Sequence, residues 1–175
     1  AAAPRARRAK TPSAVALLRL AALDARVVER RVSALRSLLP QADVSALVAR
    51  QPGLLTRDVD ATLRPRLEFI GEQLDDADRA RELVSANPRL LISAWGVLAR
   101  LRFVNERVPA RFAEVTPGAA ILAPKKNFAD RFPDYVPWLL ERLGETPTSK
   151  AALSSVAALE ARHGEIVAAR WREGR

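Results

Sequence analysis

Four sets of apolar positions along the chain share a spacing of 4, 3 and 4 residues. They are Val28, Val32, Leu35 and Leu39; Leu63, Leu67, Ile70 and Leu74; Val97, Leu101, Val104 and Val108; and Phe132, Val136, Leu139 and Leu143. At about 100° per residue each set falls on one narrow helical stripe. The sets follow one another at intervals of 35, 34 and 35 residues, so one amphipathic helix recurs four times. Little of the chain alternates with period two, and its 33 Ala and 24 Leu favour helix. The pattern predicts an all-α fold.

The connections recur as well. Leu47-Val48 precedes Pro52-Gly-Leu-Leu, Leu83-Val84 precedes Pro88-Arg-Leu-Leu, and Ala119-Ala120 precedes Pro124-Lys-Lys, the prolines standing 36 residues apart twice. A residue before proline is pushed out of the helical region, so each proline ends a short helix and can open another turn. Start signals precede those short helices: Asp43, then Asp76 or Asp78, then Thr116 followed by Pro117. The predicted unit is a long helix, a short helix and a proline-initiated turn. Such units cannot bury their stripes alone, and stacking them makes the core.

Residues 43 to 70, Asp-Val-Ser-Ala-Leu-Val-Ala-Arg-Gln-Pro-Gly-Leu-Leu through Leu-Arg-Pro-Arg-Leu-Glu-Phe-Ile, resemble the repeat of the mitochondrial transcription termination factor (mTERF) family. A second copy runs from Arg79 to Val108, with Asn87-Pro-Arg-Leu-Leu and Leu101-Arg-Phe-Val. The resemblance covers roughly residues 27 to 143. It implies a short array of three-helix units wound into a left-handed superhelix, in a mitochondrion or alternatively a chloroplast, with a basic concave surface for nucleic acid. Two departures stand out: the array is shorter than is usual for family members acting on duplex DNA, and Lys125-Lys126 replaces the leucine pair after the third proline. The expected organisation is an extended basic arm over 1–12, mTERF-like repeats over 13–143, and a C-terminal capping or docking helix over 144–175. Gly164 is a candidate break in that last helix and Trp171 a candidate anchor for a partner.

Charge sharpens this picture. The chain has 29 Lys and Arg against 20 Asp and Glu, a net +9. Residues 1 to 36 carry +7, residues 37 to 82 carry −3, residues 83 to 129 carry +5, and the remainder is neutral. No acid occurs before Asp24. The arm therefore reads as a phosphate contact through Arg5, Arg7, Arg8 and Lys10, or as a solubilising tail or transit-peptide remnant, since presequences are also Arg-rich and acid-poor. The start at Ala-Ala-Ala-Pro, without Met, fits an N-terminus that was processed or is not shown. Arg19, Arg26 and Arg30 would extend the positive field. Arg100, Arg107 and Arg111, near one face of the third helix, and Lys125 and Lys126 in the turn after Pro124 form a second basic group.

Catalysis finds little to build on. There is no Cys, so no disulfide, thiol nucleophile or thiolate metal site, and one His, His163, so no two-His site. Neither Gly-rich phosphate loop spacing occurs. No catalytic residue, metal or cofactor is assigned, and His163 reads as a surface or interhelix residue. Aromatics make up 5% of the chain, and Phe69 and Phe103 sit at matching repeat positions that suit a core better than base stacking. The expected function is non-catalytic binding of structured RNA, rRNA in particular, through its phosphates, as a component of an organellar ribosome beside neighbouring ribonucleoprotein subunits. The alternatives are an organellar duplex-DNA transcription termination or regulation factor and a protein-interaction scaffold.

Overall fold

The computed structural model describes residues 14–109, 121–145 and 156–173. Among the described residues there are nine α-helices and no strand, so the all-α expectation holds. The chain divides into two compact units, Ala1–Arg64 and Pro65–Arg175.

The first unit contains α1 (Ala14–Ala21), α2 (Ala25–Leu38) and α3 (Val44–Arg50), then a 3-10 turn over Pro52–Thr56 and a wide turn over Val59–Leu63. Aspartates start these elements: Asp24 accepts from the Arg26 amide at 2.8 Å, Asp43 from Ala46 at 3.0 Å and Asp58 from Ala61 at 2.7 Å. Each satisfies a backbone donor that has no partner within its own helix. The core collects Leu35, Leu38 and Leu39 from the end of α2, Val44 and Leu47 from α3, and Leu54, Leu55, Val59 and Leu63 from the turns. Arg31 donates to the Leu55 carbonyl at 2.7 Å, tying α2 to the 3-10 turn. The boundary falls where the next helix widens. The Arg64 amide reaches back five residues to the Val59 carbonyl, and Pro65 has no amide to give.

The second unit holds α4 from Pro65 onward (Arg64–Leu74), α5 (Ala77–Ala86), a 3-10 turn over Pro88–Ile92, α6 (Trp95–Arg107), α7 (Lys125–Arg131), α8 (Tyr135–Leu143) and α9 (Val156–Glu173). Asp76, one of the two residues expected to start the short helix, caps α5 by accepting from Asp78 and Arg79 amides, both at 2.9 Å. Phe103 is the hub of an aromatic core, its ring 5.1 Å from Tyr135, 5.6 Å from Trp138 and 5.9 Å from Phe132. All four apolar stripes are buried or half-buried along their length.

The turns after Pro52 and Pro88 match in detail. Gln51 and Asn87 have φ/ψ of −141/75° and −134/68°, and both donate to the carbonyl four residues back at 2.9 Å. Leu54 then donates to Gln51 at 3.1 Å and Leu90 to Asn87 at 3.0 Å. Leu54, Leu55, Leu90 and Leu91 are all buried, and their burial pins the tight turn. Pro124 departs from this. Its carbonyl accepts from Phe128 at 3.0 Å and opens the α-helix α7. Lys126 and Asn127 occupy the register of the leucine pair, so a 3-10 turn there would have no apolar pair to bury, and the expectation of a turn holding Lys125 and Lys126 is corrected to the first turn of a helix. Thr116-Pro117 lies outside the described residues.

The C-terminal helix is not broken at Gly164. That glycine lies at a close approach of α9 to α6: a Cβ there would lie 2.5 Å from the Gly96 nitrogen, and a Cβ on Gly96 would collide with the Glu160 carbonyl. Trp171 is engaged within the unit rather than offered to a partner, its ring 5.9 Å from Phe69 and 6.5 Å from Trp95.

Candidate nucleic-acid interface

The arginines of the two units are treated differently by the fold. The first unit holds twelve Lys and Arg against five Asp and Glu, so +7 of the molecule's +9 belongs to it. Three of those acids, Asp24, Asp43 and Asp58, cap helical elements, where the carboxylate compensates the positive end of the backbone dipole. A fourth, Asp60, pairs with Arg64 at 2.8 Å. Only Glu29 is in neither a cap nor a pair among the described residues. Arg19, Arg26, Arg30 and Arg36 are exposed and have no carboxylate partner among the described residues. Arg26, Arg30, Ser33 and Ser37 share the outer face of α2, opposite the Leu35 and Leu38 side that enters the core, as the helical spacing predicts.

In the second unit several described arginines are paired with carboxylates, while Arg89, Arg131 and Arg170 are exposed with no carboxylate partner among the described residues. Arg81 pairs with Asp78 at 2.6 Å, Arg107 with Glu141 at 2.8 Å and Arg162 with Glu145 at 2.6 Å. Glu106 receives Arg102 at 2.8 Å, Arg142 at 2.6 Å and the Trp138 indole at 2.9 Å. Partial burial works against its charge, but those three hydrogen bonds outweigh it and hold Glu106 below the usual carboxylate range.

Arg100 is a correction. It was expected on a basic outer face, and it is 1% exposed. Its Nε donates to Glu160 at 2.6 Å, and one terminal nitrogen donates to the Ile121 and Ala123 carbonyls at 2.9 and 2.7 Å. The Tyr135 hydroxyl donates to the same Glu160 oxygen at 3.0 Å. Burial, then the Glu160 charge, pushes the Tyr135 hydroxyl pKa far up, so it stays protonated as that donor. Beside this cluster His163 is buried, its ring 5.5 Å from Trp138. Burial and the charges of Arg102, Arg142 and Arg170 lower its pKa to about 4, keeping it neutral. Arg100 therefore fastens α6, α9 and residues 121–123 together and reaches no external phosphate.

Of the other sequence-derived candidates, Arg5, Arg7, Arg8, Lys10 and Arg111 lie outside the described residues. Lys125 and Lys126 stand in the first turn of α7. Arg36 and Arg57 are exposed basic residues of the first unit that the sequence reading passed over, although the charge count of residues 1 to 36 already contained Arg36. Among the described residues no group of three His, Asp or Glu side chains is placed to hold a metal, and no helix is long and apolar enough to cross a membrane. Comparison with protein-family models, with curated proteins and with solved structures returns no match.

Proposed function

We propose that this chain is a non-catalytic, mTERF-like helical-repeat protein of an organelle, in the first instance a mitochondrion, that binds structured RNA through its phosphates as a ribosomal component. The observation that carries the reading is the uncompensated arginine surface of the first unit. Four of its five acids are spent on helix starts and one local pair, leaving only Glu29 beside Arg19, Arg26, Arg30 and Arg36, which face solvent. Free cations on a rigid helix face suit phosphate oxygens, because each neutralised phosphate releases condensed counterions. The matched turns after Pro52 and Pro88 support the repeat reading.

Backbone contact is favoured over base stacking because the large aromatics are committed to packing. Phe103, Phe128, Tyr135 and Trp138 are each 2% exposed or less. A single-strand binder needs such rings on its surface. The test is affinity for structured rRNA fragments and for duplex DNA as a function of salt, comparing the native chain with Arg26→Gln/Arg30→Gln. Each lost phosphate contact flattens the logarithmic salt slope by roughly 0.7 to 0.9. An unchanged slope sinks the proposal. Preference for one duplex sequence by several kcal/mol moves the assignment to a transcription factor. Co-sedimentation of the native protein with organellar ribosomes tests the ribosomal part, and recovery only in a free or nucleoid fraction overturns it.

A further inference from the structure

A second surface of the first unit has a different chemistry. Helix α1 lies against the Pro52–Thr56 turn with Ala16 and Leu20 half-buried, yet its other side is also apolar. Leu18 is 71% exposed, Val15 57% and Leu17 46%, three of the four exposed large apolar side chains among the described residues, all within one eight-residue helix. At 100° per residue the arc from Leu17 through Leu18 to Val15 covers about 160°, with exposed Arg19 at its edge. Scattered single leucines need no explanation, but three exposed large apolar side chains on one arc of a short helix mark a contact surface.

The sequence around that helix narrows the partner. Arg5, Arg7, Arg8 and Lys10 precede it directly, and residues 1 to 23 contain no acid. Nucleic acid offers phosphates, but it would cover Leu17 and Leu18 only by unstacking base steps, at a cost of about a few kcal/mol per step. An anionic bilayer surface offers both layers at once: phosphate headgroups for the arginines and an acyl boundary for the leucines, reached without a spanning segment. We infer that α1 and the basic residues before it dock on an anionic lipid surface, with Leu17 and Leu18 entering the headgroup–acyl boundary. This contact uses a face other than the Arg26 and Arg30 face of α2, and it stands or falls apart from the nucleic-acid reading.

The experiment is sedimentation of the full chain with phosphatidylcholine vesicles, with and without phosphatidylglycerol, in the absence of nucleic acid. Binding is expected to the anionic vesicles and to be lost on pure phosphatidylcholine. Arg7→Gln/Arg8→Gln should weaken it about thirtyfold, from roughly fivefold per basic residue near such a surface. Leu17→Gln/Leu18→Gln, which leaves the charge unchanged, should weaken it on the order of tenfold or more. If that double variant loses helicity, Leu18→Gln alone serves, since that side chain is the most exposed of the set. As a depth readout, Leu18→Trp should give a blue-shifted emission component on anionic vesicles that the native chain lacks. Failure to bind anionic vesicles, binding indifferent to the leucine changes, or an unshifted Leu18→Trp emission each overturns the proposal.

Discussion

Gly164 of α9 faces Gly96 of α6 at a separation that no side chain tolerates. A Cβ on Gly164 would sit 2.5 Å from the Gly96 nitrogen and 3.1 Å from its Cα, and the obstacle is backbone, which cannot rotate aside. Gly164→Ala is therefore expected to destabilise the second unit even though alanine suits a helix interior better by about 1 kcal/mol. The separation of the helices should cost about 1–3 kcal/mol or more and outweigh the propensity gain. Urea unfolding followed by tryptophan emission measures this, and equal or greater stability of Gly164→Ala would mean that the helices do not cross here.

The same helix pair encloses Arg100 and Glu160. Removing one partner leaves a buried charge without its counter-ion, which typically costs about 3–5 kcal/mol. Glu160→Leu and Arg100→Leu should each reach that range. The double replacement should cost less than the sum of the singles, because no charge is then stranded, although the Tyr135 hydroxyl and two carbonyls still lose partners. Strict additivity in a double-mutant cycle would contradict the pairing.

His163 makes the stability of this region depend on pH. Its folded pKa lies near 4 and its unfolded pKa near 6.5, so between those values the unfolded chain takes up a proton that the folded chain refuses. Stability contributed by neutral burial is full above pH 6.5 and declines as the pH falls towards 4, by at most about 1.4 kcal/mol per pH unit. Arg102, Arg142 and Arg170 reinforce the effect and Glu106 opposes it. His163→Phe, which keeps a ring beside Trp138, should remove that slope between pH 6.5 and 5. Parallel curves for the two proteins would refute the assignment.

The apolar stripes, the caps by Asp43 and Asp76 and the turns after Pro52 and Pro88 were legible because each is a local rule: spacing, a side chain near its own amides, a fixed φ. Arg100 was not, because its partners come from 21 to 60 residues away. A signal existed nonetheless. Leu98, Ala99 and Phe103 lie off the Val97–Val108 stripe, so the apolar surface of α6 is much wider than that stripe, and all three are buried. A helix with so wide an apolar surface is enclosed over much of its length, and a basic residue on the enclosed side must find its counter-charge inside. Helix α1 was missed for a related reason: its apolar residues show no single face.

The contrast between the two units gives the sharpest test of where nucleic acid is held. Arg26 and Arg30 offer charge with no internal partner, whereas Arg107 is engaged by Glu141 and must give up that pair before it meets a phosphate. The pair is solvent-exposed, so it is worth no more than about 1 kcal/mol, but that cost is subtracted from every contact Arg107 makes. Arg26→Gln/Arg30→Gln should therefore flatten the salt dependence of RNA binding by roughly 1.4–1.8 in slope, the sum for two phosphate contacts, while Arg107→Gln changes it by well under one contact. All these side chains are exposed, so thermal unfolding should move little and the binding change can be read without a folding correction. Equal effects at Arg107 and at Arg26 with Arg30 would show that the basic surface is not confined to the first unit.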